Sequence, residues 1–215
     1  MTSPNASLCV VIPMKDPDQA KTRLGDTLPA KTRAALTRTL FRQTLRVLKS
    51  LDQGLHIVVV TNSDAIAEIC LPFRVQVLAD PGGGLNEAVK AGADYAAHHR
   101  FASVCILPGD LADPSRDDLA ALLAMPREIN SAIIAPAHDG GTNALLVTPP
   151  DAMRFAYGPG SCAAHQAQAE DAGLSCLVMP LTSLLYDVDR SSDLGARLAR
   201  GLDRSLSAFA KGGGQ

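Results

Sequence analysis

Short runs of apolar and β-branched residues alternate along the chain with longer segments whose apolar positions recur every three to four residues. Runs near 7–13, 55–61, 74–79, 102–108, 131–136, 143–148 and 175–179 read as strands. Between them lie helical segments. Residues 29–51 carry Leu36, Leu40, Leu45 and Leu48 at roughly helical spacing, with Arg33, Arg38, Arg42 and Arg46 on what reads as a solvated face. Residues 161–172 open with Ser161 at an N-cap position and stop at Gly173, and residues 191–209 predict a last helix. Strand and helix in alternation predict an α/β domain built on a parallel sheet.

Composition narrows the class. At 215 residues with 47% hydrophobic content, the chain suits one domain over 1–209 followed by a disordered Gly-rich tail over 210–215. A net charge of −2 gives no general attraction to nucleic acid or an anionic membrane, so any anion site has to be local. Aromatic residues make up 4% with no Trp, which removes the stacking platforms of a single-strand nucleic-acid binder. Five cysteines without C-x-x-C spacing read as reduced thiols of a cytoplasmic protein, and the five histidines form no ligand cluster. Neither a leader nor an apolar run of membrane-spanning length is visible, so a soluble protein is expected, with a homodimer as the base-rate oligomer.

Candidate chemistry collects at the predicted strand ends. Asp110 follows the apolar run 104–107, and Asp187 and Asp189 flank Val188, so in an extended segment both carboxylates face one side. Each alone reads as a helix cap; three together point to a metal ion. Mg²⁺ binds through one or two carboxylates plus substrate phosphates, which implies a phosphorylated or nucleotide substrate. Lys15, Lys21 and Arg23 follow the first strand, where ligands of parallel α/β sheets sit, and would suit a polyphosphate. Phe155-Ala156-Tyr157-Gly158-Pro159-Gly160-Ser161 leads into a helix and reads equally as a backbone anion site or a tight turn. Asp139-Gly140-Gly141-Thr142-Asn143 offers a second loop with a hydroxyl donor.

The order of these motifs is similar to that of a known family. Val11-Ile12-Pro13-Met14-Lys15 with Ala20-Lys21-Thr22-Arg23-Leu24, Leu107-Pro108-Gly109-Asp110, Gly141-Thr142-Asn143-Ala144-Leu145-Leu146, Tyr157-Gly158-Pro159-Gly160-Ser161 and Asp187-Val188-Asp189 together resemble the 2-phospho-L-lactate guanylyltransferase family of coenzyme F-420 biosynthesis. The resemblance implies a three-layer α/β/α sandwich around a mostly parallel mixed sheet, of the GT-A-like nucleotidyltransferase kind. It implies transfer of GMP from GTP to a phosphorylated three-carbon acid, with release of pyrophosphate. By motif, Asp110, Asp187 and Asp189 would hold Mg²⁺, and Lys15, Lys21 and Arg23, with Asp110, would serve the GTP phosphates and catalysis. Thr142, Asn143, Gly158, Gly160 and Ser161 would hold the acid, and Pro13, Gly84, Asn86, Pro108 and Gly109 would join Lys15 and Lys21 around the nucleotide.

Two departures stand out. The Asp139-Gly140-Gly141-Thr142 loop lacks a longer Gly-x-Gly-Thr spacing, which leaves 2-phospho-L-lactate, phosphoenolpyruvate and 3-phospho-D-glycerate open as acceptors. The first loop lacks the glycine-rich fingerprint of the wider nucleotidyltransferase class, which agrees with the narrower family. A related transferase with a different acceptor, or a nucleotide-binding regulator without turnover, are the other readings.

Overall fold

A computed structural model describes residues 7–52 and 54–186. Within these residues seven strands form one sheet: β1 (Leu8–Pro13), β2 (His56–Val60), β3 (Gln76–Leu78), β4 (Ser103–Ile106), β5 (Ser131–Pro136), β6 (Thr142–Thr148) and β7 (Ser175–Val178). Their spatial order is β3-β2-β1-β4-β6-β5-β7. All neighbouring pairs are parallel except those made by β6, which runs antiparallel to β4 and β5. The sheet is therefore mostly parallel and mixed, and all seven strands stand where the hydrophobic runs placed them.

Among the described residues, five α-helices cover the sheet: α1 (Ala30–Leu51), α2 (Asp64–Cys70), α3 (Leu85–His98), α4 (Arg116–Leu123) and α5 (Ser161–Asp171). Because successive strand residues point to opposite faces, β1 feeds two separate cores. Val10 and Ile12 pack with Phe41, Leu45 and Leu48 of α1, Ile66 and Ile69 of α2, and Leu119 and Leu122 of α4. Cys9 and Val11 pack on the other side with Ala88, Val89, Ala93 and Ala96 of α3 and Ala169 of α5. Three layers result. α3 lies close to the sheet because Gly92 has no side chain: a Cβ there would stand 2.3 Å from a Val11 methyl.

The predicted helix over 191–209, the tail over 210–215, and Asp187 and Asp189 lie outside the described residues. Ser161 departs from its expected place. Gly160, at φ 69°, is the N-cap, and Ser161 is the first helical residue with its side chain turned into the protein. The glycine takes the left-handed corner, which lets the serine turn inward. At the other end, Gly173 (φ 68°) follows the helix as anticipated.

Candidate active site

Strand order reverses between β1 and β4, and in such sheets ligands sit beyond the carboxyl ends at that reversal. Here β1 delivers Pro13 and Met14, and β4 delivers Pro108 and Asp110. Antiparallel β6 starts at the same edge, since Ile106 pairs with Leu145, so Thr142 and Asn143 arrive beside Asp110. A cavity of about 490 Å³ opens at this point, lined among others by Pro13, Lys15, Lys21, Arg23, Leu85, Pro108, Asp110, Thr142, Asn143 and Tyr157. A larger recess of about 790 Å³ lies between α3 and α5. It carries acids and bases scattered around its rim and none of the expected cationic or carboxylate residues, so we place the site in the first cavity.

The β1–α1 segment forms the cationic wall. Asp16 fastens it: one carboxylate oxygen accepts from Ser63 Oγ at 2.7 Å and the other from the Asp18 amide at 2.8 Å. These bonds hold the Asp16 carboxyl below its ordinary range. Lys15 and Arg23 are exposed, whereas Lys21 is buried. Lys21 sits at φ 53°, a left-handed backbone unusual for a side-chain-bearing residue and of the kind found where function fixes geometry. Its ammonium donates to Asp110 Oδ2 at 2.7 Å, and the aspartate side chain is one-third exposed toward the cavity. Asp110 caps no helix; that task for α4 falls to Ser115.

Gly109 acts through packing. A Cβ there would stand 2.4 Å from Met14 Sδ and 3.0 Å from both Ile12 and Phe41, while its carbonyl accepts from Thr44 Oγ1 at 3.2 Å. Without a side chain, the turn that carries Asp110 can sit directly on the core.

The opposite wall is made of neutral groups. Thr142 and Ser161 are buried, and the Ser161 hydroxyl donates to Thr142 Oγ1 at 3.3 Å. His165, one turn along α5 and fully buried, places Nδ1 3.0 Å from the same oxygen, and its Nε2 accepts from the Ala156 amide at 3.0 Å. Burial lowers the His165 pKa to about 4. Asn143 donates to the Leu184 carbonyl at 2.6 Å, which ties β6 to the segment ending at Tyr186. The Tyr186 carbonyl in turn accepts from the Ala112 amide at 3.1 Å, two residues past Asp110.

The α5 amine end takes the tight-turn form, one of the two readings of its sequence. The Ser161 amide donates to the Gly158 carbonyl and the Cys162 amide to the Gly140 carbonyl, both at 3.1 Å. Gly158 and Gly160 remain exposed at the loop tip, beside the cavity but not lining it. Gly82, Gly83 and Gly84 all take positive φ, a backbone that only glycine adopts cheaply, and Leu85 follows at the cavity edge. Asn86 turns away from the cavity. Its amide donates to the Tyr157 carbonyl at 3.2 Å and its oxygen accepts from the Tyr157 amide at 2.7 Å, so it grips the backbone of one residue on both sides.

Of the expected residues, then, Pro13, Lys15, Lys21, Arg23, Pro108, Asp110, Thr142 and Asn143 line one cavity. Gly84, Gly109, Gly158, Gly160 and Ser161 do not line it, and Asn86 lines the larger recess instead. His165 and the clamp on Tyr157 are additions from the structure. The spacing of His165, four residues after Ser161 on one helix face, was the signal available for it. Among the described residues no cluster of three metal-ligating side chains is present, and Asp110 is the one carboxylate on the cavity wall. Its oxygen donors and partial exposure fit a hard cation such as Mg²⁺.

The chain is similar to known proteins along most of its length. The chain is 38% identical over 185 residues to a 3-phospho-D-glycerate guanylyltransferase from Colwellia psychrerythraea, a match covering 86% of this chain and 88% of that protein. It is 36% identical over 213 residues to a phosphoenolpyruvate guanylyltransferase from Conexibacter woesei, covering 96% and 92% of the two. Its fold matches a nucleotidyl transferase from Methanothermobacter with a TM-score of 0.66 at 15% identity, over 93% of this chain and 99% of that one. Residues 8–212 match the family described as "Guanylyl transferase CofC like". That match, with 38% and 36% identity to these two relatives along most of the chain, shows that the chain belongs to the CofC-like guanylyl transferase family.

Proposed function

We propose that the protein transfers GMP from GTP to the phosphate of a three-carbon phospho-acid, the step that the family resemblance places in coenzyme F-420 biosynthesis. The observation that carries this reading is the single cavity in which Lys15, Lys21, Arg23 and Asp110 face the hydroxyl of Thr142. Cations and aspartate suit a triphosphate; neutral donors opposite suit a small acid. Two relatives named for 3-phospho-D-glycerate and phosphoenolpyruvate support that substrate class.

The acceptor phosphate is already ionised near neutral pH, so no strong general base is required. One of its oxygens attacks the α-phosphorus of GTP; the new P–O bond forms as the bond to the bridging oxygen breaks, and pyrophosphate leaves with that electron pair. The chain supplies alignment and charge. Lys21 is held rigidly by Asp110, whereas Lys15 and Arg23 reach from the surface to the departing phosphates. Asp110, with Asp187 and Asp189 from beyond the described residues, would hold Mg²⁺; Tyr186 ends the described chain against Ala112, close to Asp110 in sequence. When bound, the ion supplies neutralisation of the triphosphate charge.

The test is pyrophosphate release with GTP and Mg²⁺ against 2-phospho-L-lactate, phosphoenolpyruvate and 3-phospho-D-glycerate, followed by mass spectrometry. Release that depends on one of these acids, with a guanylylated product of matching mass, is expected. GTP binding without release for any of the three would overturn the proposal.

A further inference from the structure

The hydrogen bonds behind the neutral wall determine which groups donate. A backbone N–H can only donate, so the Ala156 amide, 3.0 Å from His165 Nε2, requires a lone pair on that nitrogen. A neutral imidazole has one proton, which must then sit on Nδ1. Nδ1 lies 3.0 Å from Thr142 Oγ1, so histidine donates and threonine accepts. Ser161 donates to the same oxygen at 3.3 Å. Thr142 Oγ1 therefore accepts twice, and its own proton cannot point back at either partner. Among the described residues nothing accepts that proton, and Thr142 lines the cavity.

We infer that His165 is a positioning residue: it fixes the Thr142 hydroxyl as a hydrogen-bond donor aimed into the cavity, where it meets an anionic oxygen of the acceptor acid. This rests on reading the cavity as the acceptor site. The same imidazole anchors the loop before α5 through Ala156, so loop position and hydroxyl direction are set by one side chain. Ser161 and His165 are four residues apart on one face of α5, which lets both reach the single Thr142 oxygen from β6. His165 stays out of contact with ligand, because it does not line the cavity.

The wild-type protein gives the first test. In ¹⁵N-labelled enzyme at neutral pH, long-range ¹H–¹⁵N spectra are expected to show His165 protonated at Nδ1 and bare at Nε2. They should shift on addition of phosphoenolpyruvate or 3-phospho-D-glycerate; the opposite tautomer, an imidazolium, or no shift with an acid that is turned over would overturn the inference. Variants give the second test, with thermal melts confirming that each folds. His165→Asn keeps an N–H near the Nδ1 position, and His165→Leu keeps bulk without a donor. The leucine variant should raise KM for the acid about tenfold, as for a lost hydrogen bond worth about one decade, with KM for GTP nearly unchanged. Asparagine should recover most of that loss. In a Thr142→Val background, His165→Leu should add little. Equal losses in Asn and Leu, or full additivity with Thr142→Val, would overturn the assignment. Absence of any acid turnover in wild type would instead remove the acceptor reading, while the tautomer spectrum still decides the hydrogen-bond chain.

Discussion

The two walls of the cavity are built by opposite physical strategies. On the β1–α1 side, formal charges do the work: Lys15 and Arg23 stand in solvent, and only Lys21 is buried, neutralised by Asp110. On the α5 side, buried neutral groups are locked by Ala156, His165, Ser161 and Thr142 into one chain of hydrogen bonds. A triphosphate carries several charges and is held adequately by long-range attraction. A three-carbon acid must be told apart from close relatives, and that needs donors fixed in direction before the ligand arrives.

The largest loss is expected from removing Lys21, the buried cation of the β1–α1 wall. Lys21→Met leaves Asp110 without its 2.7 Å partner and deprives the phosphates of a fixed cation. We expect kcat/KM for GTP to fall roughly a hundredfold or more, the scale seen when a preorganised charge-stabilising donor is deleted. Steady-state kinetics with the acid saturating provide the check, and a loss confined to the acid KM would reverse the assignment of the walls.

On the neutral wall the next effect concerns stability and pH. The folded protein holds His165 unprotonated down to about 4, against an ordinary value of 6.5. The unfolded chain takes up its proton first, so stability should be full above neutral pH. It should then decline as pH falls through 6.5 toward 4, by about 3 kcal/mol in total, and level off below. Denaturant melts across that range should show a steeper slope in wild type than in His165→Asn, where His56, also held below its ordinary value by burial, still contributes. An equal slope in both proteins would place the titration elsewhere.

Packing beneath the cationic wall gives a smaller change. Gly109→Ala puts a methyl 3.0 Å from Ile12 and Phe41 side chains and nearer still to Met14. A cost of about 1–3 kcal/mol is expected from overpacking, read as a lowered denaturation midpoint. Salt should separate the walls most gently. Going from about 0.1 M to about 1 M shortens the screening length from about 10 Å to about 3 Å. KM for GTP should rise several-fold, through Lys15 and Arg23, and proportionally more than KM for the acid.

The legible part of this molecule was the part whose signal is hydrophobic. Strand runs are continuous and β-branched, and α1 buries Leu36, Leu40, Leu45 and Leu48 in a visible stripe, so both could be read directly. α3 was harder to see, because its buried face is Ala88, Val89, Gly92, Ala93 and Ala96, small residues that leave little periodic contrast. α5 inverts the usual rule: its buried stripe is Ser161, His165 and Ala169. A sequence reading assigns such residues to solvent, and only the hydrogen bonds from Thr142 and Ala156 reveal why they are inside. The same limit applies to Asn86. Its motif placed it near the nucleotide, but whether its amide faces ligand or grips the Tyr157 peptide depends on how two distant loops meet.

In the proposed reaction the two walls bring a nucleotide α-phosphate and an acid's phosphate together. ³¹P NMR of the enzyme with GTP, Mg²⁺ and 3-phospho-D-glycerate or phosphoenolpyruvate tests this most directly. Loss of the acid's monophosphate signal, appearance of two coupled resonances of an unsymmetrical diphosphate, and pyrophosphate in equal amount are expected. Consumption of GTP to orthophosphate with the acid's signal unchanged would contradict the proposed reaction.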